Sequence, residues 1–197
     1  MKIHVSEHNE KMGKIPSISF PPKISCTAQA VHDCGKYCYA AKAYRRFETV
    51  RKAYDDNYNY YLTSPNLFFA DLAEWIFVHK PKKFRYCVSG DAPNSEFFEY
   101  IHYTATAFEN TKFLMYTKNY ADLADFLNKI PISDIPENLT IRVSYGLTCV
   151  PDQNFELPKA YIDFADIGHN CPCQIEGVTC SICSKCFTKQ DIIFPFH

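Results

Sequence analysis

Apolar positions along the chain follow two alternating patterns, short continuous runs and a 3.6-residue repeat, and the alternation defines the architecture. Phe84–Val88 (FRYCV), Lys112–Tyr116 (KFLMY), Leu139–Val143 (LTIRV) and Tyr161–Phe164 (YIDF) are short runs rich in rings and branched residues, which predict strands. Between them Phe97, Phe98, Ile101, Ala105 and Phe108 form one helical stripe, capped at Asn94 or Ser95. Tyr120, Leu123, Ala124, Leu127 and Ile130 form the next. Upstream, Ser64-Pro65 starts a helix with serine as cap and proline at the first helical position, and Phe68, Phe69, Leu72, Trp75 and Ile76 are its buried stripe. A further helical repeat runs through Ala40, Ala43, Tyr44, Phe47, Val50 and Tyr54. Ser17–Phe20 reads as one more short strand, stopped by Pro21-Pro22 because proline cannot continue a ladder. Strands that alternate with helices argue for a parallel sheet with right-handed crossovers. About five strands are too few to close an eight-stranded barrel, so the fold class expected is α/β, an open partial parallel β/α barrel. It occupies residues 1–165, and residues 166–197, which lack periodicity, are expected to form a C-terminal cysteine-rich segment where metal replaces a core.

Composition narrows the function classes. A chain of 197 residues with 47% hydrophobic and 16% aromatic content can bury a sizeable core, and fourteen Tyr and sixteen Phe against six Gly suggest one built from rings. The formal net charge of −1 indicates neither a nucleic-acid partner nor an anionic membrane surface, although a local basic patch is compatible with it. The opening MKIHVSEHNEKMGK is charged and has no apolar core, so no secretory leader is expected. No apolar run approaches the roughly twenty residues of a membrane span. In a reducing compartment ten cysteines point to metal rather than to disulfides.

Five of those cysteines fall between residues 171 and 186, in the string CPCQIEGVTCSICSKC. Cys180, Cys183 and Cys186 make two consecutive C-x2-C steps on one tight turn, and Cys171, or alternatively Cys173, can close the shell from beyond Gly177. Four thiolates suit a [4Fe-4S] cluster or tetrahedral zinc. The triple run resembles ferredoxin-type ligation more than the separated knuckles of a zinc ribbon, so the cluster is the expectation and zinc the alternative. His32 and His169 lie close enough in sequence to cysteines to be weighed as ligands.

Each expected strand ends in polar residues: Ser89-Gly90-Asp91, Thr117-Lys118, Ser144, and Asp163 with Asp166. In parallel α/β folds the crevice lies at those carboxyl ends. Asp91 and Lys118 are the candidate catalytic residues, although loops there are polar in any case. Cys87 and Cys149 read as small apolar packing residues. The chain shows no Gly-rich phosphate loop, GxSxG elbow or HExxH helix.

A second cysteine group, Cys26, Cys34 and Cys38, lies between the first strand and the first helix. Three thiols there resemble the loop of radical S-adenosylmethionine (SAM) enzymes, whose familiar spacing is CxxxCxxC. Cys34 and Cys38 match its first step, Ala41 stands where the last cysteine would be, and Cys26 is the remaining ligand. That resemblance implies a cluster open at one iron, and SAM binding by Cys26, Cys34 and Cys38 with Ser89 and Asp91. A closer one covers most of the chain. The ordered motifs GKIPSISFPPKISC, CGKYCYAAKAYRR, FRYCVSGD, YTK and CP-x-Q followed by C-x2-C-x2-C resemble the bacteriophage gene 88 protein family. In its pattern the CP step carries one cysteine, which Cys171 matches. The resemblance implies a phage-encoded iron–sulfur protein in the cytoplasm of an infected bacterium. Two functions follow from these readings: a reduced radical-SAM-like enzyme, or a non-enzymatic metal-binding module that engages a host or phage macromolecule.

Overall fold

The structure, a computed structural model, describes residues 2–163, 168, 170–172 and 177–195. Its centre is one five-stranded sheet in which every pairing is parallel, curled into half a barrel. The strands are β1 (Lys83–Arg85), β2 (Lys112–Thr117), β3 (Leu139–Ser144), β4 (Lys159–Asp163) and β5 (Ile192–Pro195), in that spatial order. Such sequential parallel order needs a crossover between neighbours, as the alternating pattern requires. Among the described residues seven α-helices accompany the strands: α1 (Ala28–Cys34), α2 (Tyr39–Arg46), α3 (Glu48–Thr63), α4 (Pro65–His79), α5 (Ser95–Ala107), α6 (Tyr120–Lys129) and the short α7 (Cys180–Cys183).

Side-chain alternation divides the sheet into two faces. Phe84, Phe113, Met115, Leu139, Ile141 and Val143 point into the main core, against Tyr61, Phe68, Phe97 and Phe98 of the helices. Phe20 lies at the centre of a ring cluster, 5.5–6.0 Å from Tyr58, Tyr61, Phe68 and Phe97, in mostly edge-on or tilted pairs that add to the burial of apolar area. Leu114 and Tyr116 point the other way, toward Met12, Ile15 and Phe187. That concave face is filled by the C-terminal segment.

Several expected elements differ. Ser17–Phe20 is not a full strand. It pairs with β1 through one parallel bridge and three main-chain bonds, Arg85 to Pro16, Ile18 to Arg85 and Phe20 to Ser89. The fifth strand is instead Ile192–Pro195, which extends β4, so residues 166–197 supply the sheet's last strand. β1 stops at Arg85 because Cys87 takes a left-handed conformation (φ 47°). The single helix expected across Ala40–Tyr54 is two, broken by extended backbone at Phe47 (φ −114°, ψ 113°). Asn94, rather than Ser95, caps α5 by accepting from Phe97 N. Phe164, Asp166, His169 and Cys173 lie outside the described residues. Among the described residues no helix is long and apolar enough to cross a membrane.

Candidate functional site

The carboxyl ends of β1, β2 and β3 are knitted together by buried polar groups. Asp91, just past β1, accepts from Ala92 N at 2.8 Å on Oδ1 and from Lys118 N at 2.7 Å on Oδ2, which ties the ends of β1 and β2. Burial raises its carboxyl to about 6, against the lowering effect of those N–H groups. Gly90 makes the approach possible: its φ is +76°, and a Cβ there would overlap Ser25 Oγ and crowd the Phe20 carbonyl. The Lys118 ammonium is buried and lies 3.3 Å from Asp33 Oδ2 of α1. Asp33 Oδ1 accepts from Thr148 N (2.6 Å), Thr148 Oγ1 (3.0 Å) and Cys149 N (3.2 Å). Burial opposes ionisation of Asp33, yet the Thr148 donors and Lys118 outweigh it and hold the carboxyl below its ordinary value. One carboxylate thus clamps α1, β2 and the loop after β3.

Against this clamp the chain brings Cys26, Cys34 and Cys38. The three thiols lie within electrostatic reach of one another, with Asp91 beside Cys26, and Lys118 and Asp33 beside Cys34. All three are half-buried and free. Burial, reinforced by Asp91, pushes Cys26 up to about 12, and burial also raises Cys34. Catalytic cysteine nucleophiles have lowered pKa values, so the raised thiols do not mark a nucleophile here. Ser89 is buried, its main chain bonded to Ser19 Oγ and Phe20 N, and its hydroxyl has no partner among the described residues. The Ser144 carbonyl accepts from Tyr120 Oη at 2.6 Å, and Asp163 Oδ2 accepts from Gly168 N. Cys87 and Cys149 are buried.

Cys180 and Cys186 lie on the concave face. Cys180 N and Ser181 N donate to the carbonyls of Lys11 and Met12, which docks α7 against the N-terminal turn. Cys180 and Cys186 pack on Met12, Ile15, Leu114 and Phe187. Cys180 lies within electrostatic reach of Cys183 and Cys186, and burial raises its thiol. Arg85 reaches into the same group, 4.8 Å from the Tyr116 ring centroid, with no carboxylate beside it among the described residues. Burial works against its charge, but Tyr39, Tyr116, Cys180 and Cys186 outweigh it and raise its pKa. Cys171 is buried, and its main-chain N–H donates to Ile193 at the start of β5.

Arg142 holds this segment in place. Fully buried in β3, its guanidinium donates to the carbonyls of Gln190 and Thr188 (both 2.7 Å) and Cys186 (2.9 Å). Longer bonds of 3.3 Å go to Lys159 and Lys185. Neither Arg142 nor Asp33 stood out in the sequence. A lone cation inside the apolar run LTIRV was the available signal for Arg142, whereas Asp33 has partners 85 and 115 residues away.

The donor chemistry can be tested against candidate metals. Zinc draws its sulfurs to within about 2.3 Å of one point, and among the described residues no three His, Cys, Asp or Glu side chains converge that way. An iron–sulfur cluster instead takes each thiolate on a separate iron. Cys26, Cys34 and Cys38 form one neighbouring set of half-buried thiols, and Cys180, Cys183 and Cys186 another. A depression lined by Ile132, Glu137, Pro158 and Lys189 opens at the amino ends of β3, β4 and β5, the end of a parallel sheet that serves stability.

The family model described as Gene product 88 matches residues 2–167, a stretch that includes Cys26, Cys34, Cys38 and the polar clamp and stops before Cys171. No curated protein and no solved structure matches the chain.

Proposed function

The chain belongs to the Gene product 88 family, and from that premise we propose that it is a phage-encoded iron–sulfur protein with a reduced radical-SAM-like barrel, working in the host cytoplasm. In this reading Cys171, Cys180, Cys183 and Cys186 hold a fully ligated [4Fe-4S] cluster in the concave face. Cys26, Cys34 and Cys38 hold a second cluster, open at one iron, where SAM is the ligand. The observation that carries it is the meeting of Cys26, Cys34 and Cys38 beside Asp91 and Lys118, at the carboxyl ends of a curled all-parallel sheet. That is where such a fold presents ligands. A bound cluster would supply one-electron chemistry there. The chain's own polar residues shape the setting. Asp91 commits its oxygens to two main-chain N–H groups and Lys118 its ammonium to Asp33, so both act by holding the strand ends and α1 together. Ser89 keeps a buried hydroxyl that has no hydrogen-bond partner among the described residues.

Cys34→Ala and Cys38→Ala, made separately and reconstituted anaerobically with iron and sulfide, test this reading. The expected result is loss of half the iron and of SAM binding by equilibrium dialysis, with the C-terminal cluster retained. SAM binding that is undetectable in the wild type, or survives both substitutions, would refute the open cluster. One zinc per chain and no iron would refute both.

A further inference from the structure

The near-zero net charge conceals a local excess of cations. From Lys36 to Lys52 the chain carries Lys36, Lys42, Arg45, Arg46, Arg51 and Lys52, and Glu48 is the one acid among them. Lys52 is paired with Asp56 at 2.8 Å. Among the described residues the other five take part in no ion pair, and all are exposed. Exposed rings are interleaved with them: Tyr37 at 66%, Tyr39 at 64% and Phe47 at 47%.

Their placement is ordered. Tyr39, Lys42 and Arg46 stand at i, i+3 and i+7 of α2 and so share one stripe. At 1.5 Å per residue the stripe is roughly 10 Å long, the span of about three stacked nucleotides at ~3.4 Å each. The opposite side of α2 is buried through Ala40 and Ala41, so the stripe is not a mislaid core face. The Tyr39 hydroxyl donates to the Val88 carbonyl at 2.6 Å, which pins a ring left largely in solvent. Arg46 lies 5.2 Å over the Phe47 ring, so cation and ring already act together there. Tyr37 and Tyr39 flank Cys38.

We propose that this α2 surface binds single-stranded nucleic acid, with phosphates on Lys42, Arg46 and the neighbouring cations and bases stacked on Tyr37 and Tyr39. An acidic protein would satisfy the charges but leaves the fixed, exposed rings without a role. Every base offers a π-face to such a ring, and every phosphate a charge to the cations between. The proposal is independent of the iron–sulfur reading.

Fluorescence anisotropy of the full chain with a labelled oligothymidylate tests it, without reference to metal content. With four phosphate contacts on a single strand, affinity should fall about 50-fold between ~50 and ~200 mM salt. Lys42→Glu combined with Arg46→Glu should weaken binding more than about tenfold and flatten the salt slope by ~1.4. Tyr39→Ala should weaken binding about tenfold, whereas Tyr39→Phe, which keeps the ring, should retain it. Circular dichroism verifies that each variant is folded. Absence of binding at ~50 mM salt, indifference to the charge reversals or to Tyr39→Ala, or equal competition by polyglutamate would overturn the proposal.

Discussion

Arg142→Met should detach the C-terminal cysteine segment from the barrel. The guanidinium serves five carbonyls, three of them at 2.7–2.9 Å, and all but Lys159 belong to the stretch 185–190. Methionine keeps much of the stem's packing but donates nothing. Each strong bond lost leaves a carbonyl short of a partner, at about 1 kcal/mol where water reaches it and up to ~3 where it does not. Removing a buried charge that burial itself disfavours recovers part of this. Three strong bonds therefore give a net destabilisation of about 3 kcal/mol, a large share of a domain's 5–15. Arg142→Lys, which keeps the charge but not the fork, should cost about 2 kcal/mol. Urea denaturation followed by circular dichroism reads the global change. Thiol labelling of Cys180, Cys183 and Cys186 below the transition reads local release, which should be faster in the methionine variant. A loss under ~1 kcal/mol with unchanged labelling would refute the reasoning.

Other substitutions test the clamp at the carboxyl ends. In Gly146→Ala the new Cβ overlaps the Asp33 carboxylate, so Asp33 must leave Thr148 and Lys118, and a loss of at least ~2 kcal/mol is expected in denaturant melts. In Gly90→Ala a left-handed φ of +76° combines with overlap on Ser25 Oγ, with a similar cost expected in thermal melts. Asp91 gives a pH signature. Its folded pKa of about 6 stands above the ordinary 3.8, so the folded state holds this proton more tightly. The resulting stability is full below pH ~3.8 and is lost as pH rises through ~6, about 3 kcal/mol in all. The stability difference between wild type and Asp91→Asn should therefore shrink by about that amount from pH 4 to pH 7, and a flat difference would contradict the buried carboxyl.

The barrel was legible because its signals are local. Alternating runs and 3.6-residue stripes mark β2, β3 and helices α4 to α6 nearly where they lie. The missed last strand depends on a distant partner. Ile192–Pro195 is four residues ending in proline, and only its parallel partner Ala160–Asp163 makes it a strand. The break at Phe47 escapes periodicity because one extended residue barely disturbs the apolar spacing on either side. The site divides in the same way. Cys26, Cys34 and Cys38 beside Asp91 and Lys118 followed from placing polar loops at parallel strand ends. The reach of Lys118 to Asp33 did not, since nothing in a short helix marks its aspartate as a clamp. The C-terminal cysteines were plain as a motif, yet their seat on the concave face depends on Arg142, whose side chain reads from sequence as a lone charge in a strand.

Iron and acid-labile sulfide counted on the full chain, purified anaerobically and reconstituted, test the central claim most directly. The two-cluster account expects brown protein with about eight irons and eight sulfides per chain, since each [4Fe-4S] centre contributes four of each. Colourless protein holding stoichiometric zinc, or no metal after reconstitution, would contradict it.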